Sequence, residues 1–236
     1  MVLHPAVAQK WQAITGRPLV EGYGLTEASP VVACNSYEAP VLGSVGLPLP
    51  STQISIREGD LEVPAGQSGE LWVRGPQVMR GYWNRSEDTT MVLTADSWLR
   101  TGDIATLDAR GLLRIVDRKK DLIIVSAFKV FPNEIETVVA EHPAVLECGC
   151  IGVPDARSGQ AVKVFVVLRD GSTLEQDDLL HHCRERLTGY KVPKYIEFRA
   201  SLPKTNVGKI LRRALAEEES SRAAQSAANQ HLQAAS

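Results

Sequence analysis

The character of the chain changes at one short run of charge. Asp117-Arg118-Lys119-Lys120-Asp121 sets five ionisable residues between two apolar stretches. Before it the sequence reads as many short strands broken by Gly and Pro. Residues 53–57 alternate polar and apolar, the period of a half-buried strand. Residues 70–74 give a second strand, ended by Gly75-Pro76. Residues 104–107 and 112–116 flank Asp108-Ala109-Arg110-Gly111, a hairpin turn. Residues 7–15 read as a short helix, and Pro18-Leu19-Val20 as a strand entering a Gly-rich loop.

After the run, helices and strands alternate. Pro132 suits the first turn of a helix, and Glu134 and Glu136 suit its positive end. Ile135, Val138 and Val139 fall on one face, and His142-Pro143 stops the helix. Residues 162–168 are almost continuously apolar, as in a strand covered on both faces. Thr173 with Gln176 reads as a capping box for a helix whose stripe is Leu179, Leu180, Cys183 and Leu187. Residues 209–218 read as a final helix. Residues 218–236, rich in Ala, Ser and Gln, are expected to be disordered. The pattern predicts an α/β chain of two domains, a β-rich 1–117 and a small mobile α+β domain at 118–217. A hinge is expected at 118–121, because so short a connection turns about few dihedrals.

Composition narrows the function classes. A net charge of −2 over 236 residues gives no electrostatic case for nucleic acid. The four cysteines Cys34, Cys148, Cys150 and Cys183 form no CxxC pair and are expected as reduced thiols in a cytoplasmic protein. Residues 1–16 contain Lys10 and Gln12 within a broken apolar pattern, so no signal peptide is expected. No run of about 18 apolar residues is present to cross a membrane, although peripheral contact with one stays open.

Four segments carry chemistry. In Gly22-Tyr23-Gly24-Leu25-Thr26-Glu27, two glycines let backbone approach a ligand, Thr26 offers a hydroxyl to phosphate, and Glu27 offers a carboxylate to Mg²⁺. The plain alternative is a turn with a polar pair. In Trp98-Leu99-Arg100-Thr101-Gly102-Asp103, Asp103 on a Thr-Gly turn can accept from both hydroxyls of a ribose, or from its own backbone. In the charged run, Arg118 presents a fork of donors to a nucleotide, and Lys120 is a candidate pivot. The alternative is a solvated edge. In Pro203-Lys204-Thr205-Asn206-Val207-Gly208-Lys209, Lys209 is a long ammonium on a Gly-freed backbone, able to offset charge at an α-phosphate. The alternative is an exposed lysine at a helix start.

In their order these segments resemble the adenylate-forming enzymes, and most closely the C-terminal part of bacterial long-chain fatty acid–CoA ligases. Gly43-Ser44-Val45-Gly46-Leu47-Pro48, Gly81-Tyr82-Trp83, Val130-Phe131-Pro132-Asn133-Glu134-Ile135-Glu136 and Leu187-Thr188-Gly189-Tyr190-Lys191-Val192-Pro193-Lys194 extend the likeness from about residue 5 to 216. The resemblance implies a two-step reaction. ATP and a long-chain fatty acid give acyl-adenylate and pyrophosphate, and coenzyme A then displaces AMP as the small domain turns. It implies Thr26 and Glu27 at the phosphates and Mg²⁺, and Tyr23 and Gly24 at the nucleotide. It implies Asp103 and Arg118 at the ribose, Lys120 as hinge and Lys209 at the adenylation step. Ser126, Ala127, Phe128 and Lys129 would lie on the coenzyme A path.

Two departures qualify the resemblance. The family's Ser/Thr/Gly-rich loop ending in lysine, which wraps the β- and γ-phosphates, does not occur in this sequence. The chain alone is therefore expected to lack full ligase activity. Ala127 stands where the family usually has glycine, so a methyl would obstruct the pantetheine arm or oppose a positive φ. A non-catalytic remnant that binds coenzyme A, a nucleotide or a partner chain is the alternative, and an adenylation module for another acid is a third reading. Strand edges in the first half are expected to drive homo-oligomers, or association with an upstream ligase fragment.

Overall fold

The computed structural model describes residues 5–206 and 208–234. The chain divides into two compact units between Lys120 and Asp121. This is three residues beyond the expected boundary, because the last strand of the first unit extends into the charged run.

The first unit opens with α1 (Pro5–Thr15). A small antiparallel sheet follows, in the order β1 (Gly22–Gly24), β2 (Val31–Cys34), β3 (Leu47–Pro48). The strand expected at Pro18-Leu19-Val20 forms four residues later, on the Gly-Tyr-Gly segment itself, where pairing with β2 is available. The larger sheet comprises β4 (Gln53–Glu58), β5 (Leu61–Glu62), β6 (Ser68–Arg74), β7 (Leu99–Leu107) and β8 (Leu113–Arg118), with spatial order β5-β4-β6-β7-β8. A short helix, α2 (Ser86–Val92), precedes β7. Ile56, Leu71, Val73, Ala105 and Leu113 on one face of this sheet join Ala28, Val32 and Ala33 in a single core. Each large aliphatic side chain buried there contributes about 1.5–3 kcal/mol. The β7–β8 turn forms as expected: Asp108 Oδ1 accepts from the backbone N–H of Arg110 and Leu112, and Gly111 takes φ +80°.

The second unit has a five-stranded sheet of β9 (Ile123–Val125), β10 (Phe128–Val130), β11 (Val145–Asp155), β12 (Gly159–Leu168) and β13 (Tyr195–Phe198). Its order is β10-β9-β12-β11, with β13 pairing parallel to β12. β12 is covered on both faces, as its apolar run requires. Val162, Val164 and Val166 enter one core with α3 (Pro132–Ala140) and α4 (Gln176–Arg184), while Ala161, Phe165 and Val167 enter another with Leu215 of α5 (Arg212–Ala234). Pro132 occupies the first turn of α3, and Lys191 Nζ donates to Glu134 at 2.7 Å.

Two helix readings are corrected. The capping box is absent: Glu175 is the N-cap of α4 with no side-chain cap, and Gln176 Nε2 instead donates to Ile196 O at 3.0 Å, tying α4 to β13. The last helix starts at Arg212, not 209, because Lys204 and Ile210 pair across a turn. It also runs on to Ala234, through most of the stretch expected to be disordered. Helix-compatible serines bond back to Ala216 O and Glu217 O there, and Arg222 pairs with Glu197 and Glu219. Residues 235 and 236 of the expected tail, and Val207 of the lysine segment, lie outside the described residues. All four cysteines are free thiols. Among the described residues no helix is long and apolar enough to cross a membrane.

Candidate functional site

Asp103 sits mid-strand in β7, not on a turn. Glu70 pairs with Ile104 and Trp72 with Arg100, so residues 101–103 bulge opposite Leu71 alone. A bulge re-aims side chains that regular pleating would alternate. Gly102 supports it at φ +71°, Thr101 Oγ1 donates to Leu71 O at 2.7 Å, and Asp103 N–H donates to Thr101 Oγ1 at 3.1 Å. The Asp103 carboxylate then meets two partners from distant sequence. Tyr23 Oη donates to Oδ2 at 2.5 Å, and Arg118 Nε lies 3.5 Å from Oδ1. Burial and the adjacent Asp103 charge push the Tyr23 phenol well above the usual range, so it stays a donor.

Asp103, Arg118 and Lys120 line one pocket of about 500 Å³ with Leu25, Glu27, Tyr82, Val92, Arg100 and Thr101. Glu27 lies on a single 3-10 turn, Thr26–Ala28, that follows β1. Tyr82 Oη donates to Glu27 Oε1 at 2.8 Å, and partial burial beside that carboxylate raises the Tyr82 phenol. Lys119, also at the pocket, pairs with Glu70 at 2.8 Å. Among the described residues no group of three or more His, Cys, Asp or Glu is placed to hold a metal. A lone carboxylate such as Glu27 suits Mg²⁺ that takes its other oxygens from phosphate and water.

One glycine of the first segment serves the chain itself. A Cβ on Gly24 would lie 2.0 Å from Pro30 O, so this glycine is required by the neighbouring backbone whatever a ligand does. Thr26 is exposed and Tyr23 reaches the site through Asp103. Tyr82 was not read as a site residue from sequence; its appearance within Gly81-Tyr82-Trp83, and a phenol able to reach a carboxylate, were the available signals.

The remaining candidates lie in the second unit. Ser126 and Ala127 join β9 to β10 as a two-residue hairpin, with φ +48° and +71°. Ala127 thus adopts the positive φ that its side chain was expected to oppose. Turns of this type match strand twist, and that tertiary demand outweighs the local preference. Phe128 stacks on Tyr190 with centroids 4.5 Å apart, and Lys129 follows, exposed. Lys209 is exposed on the turn between Lys204 and Ile210. Its N–H donates to Thr205 Oγ1, its carbonyl accepts from Thr205 N–H at 2.7 Å, and Gly208 takes φ +79°.

Comparison with known proteins fits both units. Residues 1–83 match the AMP-binding enzyme model, and residues 134–209 match that of the AMP-binding enzyme C-terminal domain. The matches follow one another in the chain order of that enzyme, and the chain belongs to the AMP-binding enzyme family. Among curated relatives, a long-chain-fatty-acid–CoA ligase of Yersinia pestis is 61% identical over 93% of this chain and 39% of its own length. One from Bacillus subtilis is 49% identical over 90% of this chain and 38% of its own. The chain thus spans about two fifths of the length of these relatives. Among solved structures, ATP-bound MatB from Rhodopseudomonas palustris is similar at a TM-score of 0.86 and 35% identity, over 90% of this chain and 43% of MatB.

Proposed function

We propose that this chain provides the ribose-binding and hinge-lysine portion of an AMP-forming long-chain fatty acid–CoA ligase. The observation that carries the reading is Asp103. A bulge aims its carboxylate at a pocket, with Tyr23 and Arg118 fixing its orientation. Two oxygens held in place can accept from two vicinal hydroxyls, a charge-assisted contact selective for ribose. Arg118 adds donors for ribose or phosphate oxygens. Tyr23 and Gly24 shape the nucleotide side of the same loop. Thr26 offers a hydroxyl to phosphate, and Glu27 holds Mg²⁺, which when bound neutralises phosphate charge. Lys209, an exposed ammonium on a Gly-bearing turn, offsets charge at the α-phosphate during adenylation. Lys120 is the hinge, and residues 126–129 border the coenzyme A path.

The names of the relatives support fatty acid and coenzyme A as substrates, and the ATP-bound state of MatB supports ATP. We read the ligase as cytoplasmic, with peripheral contact to the inner membrane. Purified chain mixed with ATP, Mg²⁺, palmitate and coenzyme A tests catalysis by AMP release, and calorimetry with AMP tests the site apart from catalysis. Asp103→Asn should abolish AMP binding. Unchanged AMP affinity in that variant overturns the assignment.

A second reading is favoured by one observation: Val7, Trp11 and Ile14 form an exposed apolar stripe on α1. Under it the chain binds nucleotide or coenzyme A without turnover and associates with a further ligase segment or a second copy. Binding without AMP release, together with a concentration-dependent mass that Trp11→Glu lowers, supports this reading.

A further inference from the structure

The face of the larger sheet turned away from its core carries an alternating ladder of arginine and tryptophan. Trp72 pairs in register with Ser55 and Arg100, so its side chain lies opposite to the buried Leu71 and Val73. Arg100 lies over Trp72 at 4.8 Å, and Arg57 covers the same ring at 4.4 Å. Arg57 also reaches Trp98 at 5.1 Å, and Arg74 reaches it at 4.8 Å. The two indoles are 3% and 8% exposed, roofed by three guanidinium groups.

Covering two indoles would be function enough, since each cation–π contact contributes about 0.5–2 kcal/mol. Three further features exceed that role. First, stacking occupies the flat face of a guanidinium and leaves its edge donors free. Arg57 uses Nε on Ser55 Oγ, Arg74 uses Nε and Nη2 on Gln53 Oε1, and among the described residues neither forms an ion pair. Second, Trp72 Nε1 and Arg100 Nε are buried without an acceptor. Both can only donate, so each of these two groups is short of an acceptor. Third, Glu70, the carboxylate in register with Arg57, is engaged by Lys119, while Asp60, 3.5 Å from Arg100, and Asp96, which feels the charges of Arg74 and Arg57, face the patch from exposed turns.

We propose that this face, centred on Arg57 and Arg74 over Trp98, is a phosphate-binding site beside the pocket at Asp103, with which it shares Arg100. A planar carboxylate is filled by one guanidinium fork. A phosphate offers more oxygens and serves two forks together. The same chemistry is carried by free phosphate and by a phospholipid headgroup, and the two are separable.

The test uses the full chain and its tryptophan emission, with calorimetry in parallel. Inorganic phosphate and pyrophosphate are one arm. Phosphatidylcholine vesicles with and without phosphatidylglycerol are the other. Wild type should bind, and the double variant Arg57→Gln/Arg74→Gln should bind about tenfold more weakly, the scale of losing charge-assisted hydrogen bonds. Arg118→Gln, altered in the pocket, should retain the tryptophan-emission change that reports binding at this face. Dependence on phosphatidylglycerol assigns the headgroup source, and saturation by free phosphate assigns the soluble one. Arg57→Lys/Arg74→Lys keeps charge and ring contacts but removes the forks, so it should also bind weakly and guards against misfolding of the glutamine variant. Absence of binding by wild type, or wild-type affinity in the lysine variant, overturns the proposal.

Discussion

Tyr23 donates its phenol hydrogen to Asp103 Oδ2 across 80 residues of sequence. That bond joins the loop after β1 to the bulge of β7, and it leaves Oδ1 turned toward Arg118 at 3.5 Å. Two segments far apart in sequence, each with an ordinary turn as its plain alternative, are joined through it.

The state of Tyr23 is measurable. Its pKa is raised above the ordinary phenol value of 10.0 by burial and by the Asp103 charge. A raised value means the folded chain holds a proton that the unfolded chain releases above about pH 10. The contribution to stability is therefore full below pH 10 and is lost as pH rises beyond it. Phenolate absorbance against pH should show a late-ionising tyrosine among the five, missing in Tyr23→Phe. At neutral pH that variant should lose about 1 kcal/mol in urea unfolding.

Gly24→Ala separates packing from ligand binding. The added methyl meets Pro30 O at 2.0 Å and its carbonyl carbon at 2.7 Å, both backbone atoms that cannot swing aside. It would also disturb the bond from Leu25 N–H to Pro30 O. A loss of about 2–3 kcal/mol is expected with no nucleotide present, read from urea unfolding of the free chain.

Ala127→Gly should act in the opposite direction. Ser126 and Ala127 both hold positive φ in the β9–β10 turn, a conformation that costs an L-residue with a Cβ about 1–2 kcal/mol. Glycine removes that cost at position 127 and returns part of it as unfolded-state entropy. A net gain of about 0.5–1 kcal/mol is expected by thermal unfolding. No gain would mean the turn is not held in this form.

What could be read from sequence was what neighbours in sequence decide. The turn at Asp108, the helix start at Pro132 and the double-sided strand through Phe165 all rest on local residue chemistry. The bulge at Asp103 does not, because it exists only where β7 meets Leu71 of β6. Nor does the backbone constraint on Gly24, because Pro30 O meets it only across the hairpin it closes. Thr173 and Gln176 have capping-box spacing, but the helix begins at Gln176 itself, whose Nε2 donates to Ile196 O on β13. The Tyr82–Glu27 contact spans 55 residues, beyond any spacing rule.

The second unit should lose stability in mild acid. Burial first, and then the neighbouring His182, lower the pKa of His142, whose Nδ1 accepts from Ala144 N–H at 3.3 Å. His182 packs edge-on at 5.2 Å, and Nε2 of that ring meets Val138 O at 2.8 Å. A depressed histidine pKa means the unfolded chain takes up the proton first, near pH 6.5. Stability is therefore full above 6.5 and falls as pH drops toward the folded value. Urea midpoints at pH 7.5 and 5.5 should differ in that direction, and His142→Asn should reduce the difference.

Arg212 anchors the last helix to the start of the second unit. Its Nε donates to Glu136 Oε1 at 2.8 Å, Nη2 meets Glu136 Oε2 and Asn133 Oδ1, and Nη1 lies 3.4 Å from Asp121. Glu136 Oε1 also accepts from Cys150 N–H at 2.8 Å, so the arginine braces α3, β11 and the first residue of the second unit together. Arg212→Met keeps the apolar stem but leaves Glu136 and Asp121, each mostly buried, without their cation. Removing one partner of such a cluster costs about 3 kcal/mol. The loss should appear as faster amide exchange in α5 and in the turn bearing Lys209, which is continuous with it through the bond from Leu211 N–H to Pro203 O. Restoring stability by also replacing Glu136 with Leu would show that the stranded carboxylate, not the lost packing, is the cause.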